Sequence, residues 1–119
     1  MFSRMEVYMS RKPRKISSLK READKWFSQY IRLKYSDKYG NCECYTCGIT
    51  RPWEKDIIQC GHGIGGRGGF VRYLEEVCRP QCSTCNVAKS GAYDVFVPKL
   101  IREMGQTHYE DLVILSRRP

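Results

Sequence analysis

Histidine is scarce in this sequence, with two among 119 residues, so chemistry that needs an imidazole near neutral pH has only His62 or His108 to draw on. No apolar run approaches the length required to cross a bilayer, which excludes a membrane-spanning helix. The opening residues are polar and basic and do not resemble a secretory signal. The seven cysteines are therefore expected in a reducing, cytoplasmic setting and not as a disulfide scaffold. Internal repeats and low-complexity tracts are also lacking, and the length suits one domain with one modest core.

Acidic residues are in deficit, and unevenly so. The net charge is +8. Residues 1–41 carry 11 bases and 4 acids, while residues 42–119 carry 10 and 9. A basic third beside a nearly neutral body suits a protein that tracks phosphates, because neutralising them releases counterions without reading sequence. A solubilising tail is the alternative. Residues 1–15, with Arg11, Lys12, Arg14 and Lys15 around Pro13, read as a flexible basic arm, and residues 16–119 as a single domain.

Leu19, Ala23, Trp26, Phe27, Tyr30, Ile31 and Tyr35 recur at three- and four-residue steps, which predicts an amphipathic helix over about 17–39, stopping at Gly40. A short strand over Asp56–Cys60 and an aromatic, branched stretch over Phe70–Leu74 predict a hairpin whose loop is the glycine-rich span 61–69. Helices are expected over about 83–90, from Tyr93 to Met104 despite Pro98, and onward to about Leu115 behind a Thr107/Glu110 capping box. His108, in the first turn of that last helix, reads as a surface residue.

Two Cys-x-x-Cys pairs, Cys44/Cys47 and Cys82/Cys85, each bring two thiolates within reach of one tetrahedral ion. Four sulfur ligands select zinc and leave no open position for substrate, so this ion is expected to be structural. Cys42 could substitute for Cys44, whereas Cys60 and Cys78 read as small buried residues. A site that hydrolyses anything then needs its own base. His62 ends the first strand and opens the glycine loop, and Asn86 directly follows Cys85 at the start of a helix that can face that strand.

At this point the chain resembles a known class. Cys44-x-x-Cys47-Gly48, Gly61-His62 and Cys82-x-x-Cys85-Asn86-x-x-Lys89 look like an HNH, or treble-clef, nuclease. Tyr30-Ile-Arg-Leu, Arg67-Gly68, Arg72-Tyr73, Gln81-Cys82 and Ser90-Gly91 narrow the resemblance to the phage NinG/Rap recombination family, with similarity also to endonuclease VII-type Holliday junction resolvases. Gly61 departs from the metal-binding Asp of the latter, Val77 from the central Asn of HNH motifs, and Arg79 from a frequent His of NinG-like chains.

The resemblance implies an α+β fold with a small zinc-stapled ββα-metal core over about 42–91, a long N-terminal helix and C-terminal helices over about 93–115. It implies a metal-dependent endonuclease acting on branched DNA in the cytoplasm of a phage host. His62 would be general base, with a backbone carbonyl orienting it, and Asn86 would hold a catalytic Mg²⁺ or Mn²⁺. A carboxylate from Asp56, Glu75 or Glu76 could join that ion. Arg67, Arg72 and Lys89 would clamp DNA phosphates. A homodimer is expected, and the helix that carries Trp26, Phe27 and Tyr30 on one face is long enough to support it or equally to pack on its own domain. The competing reading is a non-catalytic zinc-dependent DNA-binding module.

Overall fold

The computed structural model describes residues 3–4, 13–65 and 69–118; the expected basic arm falls largely outside them, as does Arg67. Helix α1, Ile16–Lys34, ends several residues before the predicted stop. The Ser36 hydroxyl donates to the Arg32 carbonyl at 2.7 Å. The Asp37 carboxylate then accepts the backbone N–H groups of Tyr39 and Asn41 at 2.9 and 3.0 Å. These local bonds replace helical ones, and Gly40, at φ +80°, turns the chain into a strand instead of capping the helix.

Two small antiparallel sheets follow. Strands β1, Asn41–Glu43, and β2, Thr50–Pro52, form a hairpin that the sequence did not suggest. Strand β3, Ile58–His62, pairs with β4, Cys78–Cys82, in the register Ile58↔Cys82, Cys60↔Pro80 and His62↔Cys78. The expected pairing with residues 70–74 is therefore corrected. Gly69–Val71 and Glu75–Val77 are 3₁₀ turns, and both valines are buried in the core. Pro80 is tolerated in β4 because its carbonyl points away from β3, accepting from the Tyr45 N–H at 2.8 Å, so its missing N–H costs no ladder bond.

The expected helix after Cys82 is a wide π turn, Thr84–Ala88, closed by Lys89 N–H on the Thr84 carbonyl at 2.9 Å. Helices α2, Tyr93–Met104, and α3, Gln106–Ser116, complete the chain. Pro98 sits within α2 as expected. The capping box does not form: α3 begins at Gln106 and has no side-chain cap. Gln106 instead reaches Glu110 at 2.8 Å.

One core joins Ile31 of α1, Ile64, Val71, Val77 and Cys78 to Phe96 and Leu100 of α2 and Leu112 of α3. On α1 the inward stripe is Asp24, Phe27, Ser28 and Ile31, spaced as one helical face. Trp26 and Leu33, at 60% and 55% exposure, point outward. No helix among the described residues is long and apolar enough to cross a membrane.

Candidate functional site

Cys44 follows β1, and Cys47 lies in the turn that leads to β2. The turn is closed by Gly48 N–H on the Cys44 carbonyl at 3.0 Å and by Cys44 N–H on the Ile49 carbonyl at 2.8 Å. Gly48, at φ +81°, takes the left-handed conformation that this turn demands. Cys82 ends β4, and Cys85 lies in the π turn. The four sulfurs lie within 4.8 Å of one another. Cys47 Sγ and Cys82 Sγ are 3.6 Å apart, close to the edge of about 3.8 Å that Zn–S bonds of about 2.3 Å give a tetrahedron.

The donor set and its surroundings fit zinc. The Cys85 N–H points at Cys82 Sγ, 3.4 Å away. Thr46 Oγ1 lies 3.5 Å from Cys44 Sγ and accepts from Gln81 Nε2 at 3.1 Å, an outer layer that holds the sulfurs in place. Burial pushes the Cys44 thiol up. Hydrogen bonds from Thr46 and from the backbone of Cys82, Cys47 and Thr46 outweigh burial and bring it down to about 6. Cys42 is buried beside Cys44, Cys82 and Cys85 but is not part of the four-sulfur group, so Cys44 and not Cys42 is the residue placed to hold an ion.

His62 stands between two clefts. One is lined by Asp24, Phe27, Ser28, Gln59, Cys60 and Arg72. The other is lined by Ile64, Gly65, Asn86, Ser90, Gly91 and Tyr93. His62 Nε2 lies 3.0 Å from the Arg72 carbonyl. A carbonyl only accepts, so Nε2 carries the proton and the lone pair sits on Nδ1. A backbone carbonyl thus orients the imidazole, as expected. Asn86 shares a cleft with His62 and donates to Gln59 Oε1 at 2.9 Å. Beside it, Ser90, Gly91 and Ala92 all adopt positive φ, at 51°, 98° and 48°, a strained run of the kind that gathers at functional sites.

The expected Mg²⁺ or Mn²⁺ finds a poor set of residues. Described residues on the Asn86 side include no carboxylate. Glu75 is bound to Lys34 and Tyr30, Glu76 to His108, and neither they nor Asp56 line a described cleft around His62. The carboxylate that does face His62 is Asp24. It accepts from Arg72 Nε at 2.8 Å and from the Tyr73 hydroxyl at 2.9 Å. The Arg72 hydrogen bond is the largest cause holding its pKa below 3.8, the ordinary value, against desolvation.

Of the expected phosphate contacts, Arg72 is already held by Asp24, while Lys89 is exposed just past the π turn. Arg32, on the basic helix, is spent on structure, donating to the Trp53 carbonyl at 2.7 Å. Arg79 is tied to the Cys78 carbonyl at 2.8 Å and to Glu103 at 3.1 Å. Gly61 has a steric cause: a Cβ there would fall 2.1 Å from Gln81 Oε1, and Gln81 is fully buried. Sequence reasoning missed Asp24, Gln59 and Cys60 as cleft residues. An acid on the inward stripe of α1 was the available signal.

The fold and the cysteine cluster define a small α+β protein with two small antiparallel sheets and four cysteines that could hold a metal ion. The chain belongs to the NinG family, whose model, described as Bacteriophage Lambda NinG protein, matches residues 6–116. No curated protein and no solved structure matches the chain.

Proposed function

We propose that this chain is a zinc-stapled DNA endonuclease of the HNH class that acts on branched DNA during phage recombination. The observation that carries the reading is the meeting of His62 and Asn86 at one cleft, with the ring proton of His62 committed to the Arg72 carbonyl. An imidazole held this way offers Nδ1 as general base to a water that attacks a phosphodiester phosphorus. The water's proton passes to Nδ1, the new P–O bond forms as the bond to the 3′ oxygen breaks, and the departing 3′ oxygen takes a proton from solvent. Asn86, steadied by Gln59, would orient the scissile phosphate. Exposed Lys20, Arg21 and Lys25 on α1, with Arg67 and Lys89, would supply the phosphate-tracking charge. Trp26 and Leu33, exposed on α1, support a dimer able to cut paired strands.

The residues beside His62 do not by themselves make a magnesium site. That same shortage of carboxylates favours the second reading, a zinc-dependent DNA-binding module without catalysis. The discriminating experiment is cleavage of labelled four-way junctions and linear duplexes by zinc-loaded wild type and His62→Ala, each with Mg²⁺, Mn²⁺ or EDTA. Junction cutting that disappears in His62→Ala is the expected result. Binding without cutting in any metal would establish the module instead.

A further inference from the structure

Cys60, His62 and Cys78 lie on one face of the β3–β4 hairpin. His62 is directly opposite Cys78, and Cys60 is two residues before His62 on the same strand. Their ligand atoms are within 4.8 Å of one another. Cys78 is fully buried, whereas Cys60 and His62 are half-buried and wall the cleft that also holds Asp24. The cysteines are free thiols, and their placement argues against a disulfide. They are diagonal across the antiparallel pair, where Cα atoms sit about 7–8 Å apart, beyond the roughly 4.4–6.8 Å of a disulfide.

Two sulfurs and one imidazole are a donor set for a borderline-soft ion and a poor one for magnesium. A tetrahedral Zn²⁺ needs S–S edges of about 3.8 Å, which small side-chain rotations reach from the observed spacing. The contact of His62 Nε2 with a backbone carbonyl is the kind of outer contact that metal-binding histidines make.

We propose that Cys60, His62 and Cys78 form a second metal site that takes a zinc-type divalent ion, and that loading it withdraws His62 from hydrolysis. Binding releases the two thiol protons to solvent and uses the neutral imidazole through Nδ1. Three protein ligands leave the fourth position to a water facing the cleft. The loss of hydrolysis follows because Nδ1 cannot bind a metal and accept a proton at once; this part rests on the hydrolytic reading above, whereas the site itself does not.

The test is equilibrium dialysis of the full chain against a zinc buffer, followed by metal counting. Wild type should hold about two ions, and Cys60→Ser and Cys78→Ser about one each, with the four-cysteine ion retained. Because Cys78 is buried and its variant can unfold, a wild-type measurement stands beside it. Alkylation of Cys60 by iodoacetamide, mapped by mass spectrometry, should slow more than about tenfold between one and two equivalents of zinc. A wild-type chain that stops at one ion, with Cys60 equally reactive throughout, overturns the site. In the cleavage assay the second equivalent should suppress wild type and leave Cys60→Ser active. A second ion bound with cleavage undiminished overturns the switching role. If nothing cleaves, the hydrolytic reading and the switching role that rests on it both fail, while the metal counts still decide the site.

Discussion

Asn86 Nδ2 donates to Gln59 Oε1 at 2.9 Å, tying the π turn that carries Cys85 to the strand that carries His62. This bond makes the zinc cluster and the histidine cleft one mechanical unit, because any shift of the turn drags Gln59 and its neighbours. Asn86→Ala should cost about 1 kcal/mol, the usual net value of one hydrogen bond. It should reduce junction cleavage by far more than that loss of stability accounts for. Thermal melts and single-turnover cleavage check the pair, and unaltered cleavage would remove Asn86 from the proposed site.

Zinc removal should undo the fold's centre. The four cysteines come from the β1–β2 turn, the end of β4 and the π turn, and three of them, Cys44, Cys82 and Cys85, are themselves part of the small buried cluster with Cys42, Ile58 and Ala92 that joins these pieces. Structural zinc contributes about 10–16 kcal/mol in zinc-finger peptides. Cys82→Ser, or prolonged chelation, should therefore abolish cooperative unfolding by circular dichroism, while Cys42→Ala, outside the four-sulfur group, should keep its zinc.

Gly61→Ala should destabilise by about 1–3 kcal/mol, the range for overpacked cores. The added Cβ would meet Gln81 Oε1 at 2.1 Å. Gln81 cannot swing aside cheaply, because its amide N–H groups are held by the Gly91 carbonyl at 2.8 Å and by Thr46 at 3.1 Å. Since Thr46 also touches Cys44, the variant should bind zinc more weakly as well, which a chelator competition measures.

The Asp24–Arg72 pair should give a small acid-dependent contribution to stability. Its folded-state pKa is depressed below 3.8, so the contribution is present in full above that ordinary value and is lost as the pH falls through the depressed one. The pair is partly exposed, and up to about 1 kcal/mol is expected. Wild type should out-melt Asp24→Asn at pH 7, and the gap should close in strong acid. A gap that persists there would assign the effect to packing.

The local features were legible in the sequence. The two Cys-x-x-Cys pairs show themselves by spacing, since each pair needs only one turn of chain to present its thiolates. The helical period placed α1 and α2 because it depends on residues three and four apart. Strand pairing was another matter: β4 reads Cys-Arg-Pro-Gln-Cys, with a proline and a charge and no strand-like alternation, and nothing local selects it over residues 70–74 as the partner of β3. Pairing is chosen by what each segment buries, and Val71 and Val77 gain more in the core than in a ladder. That non-local choice brings Cys78 beside His62 and Cys60, puts the Arg72 carbonyl against the imidazole, and turns Asp24 from a helix acid into a wall of the cleft. The sequence by itself determined the four cysteines that could hold a zinc ion and helices α1, α2 and α3 apart from their ends. Only the tertiary structure decided what surrounds His62, because those neighbours come from α1, β3, β4 and the turn between the strands, and only folding brings them together.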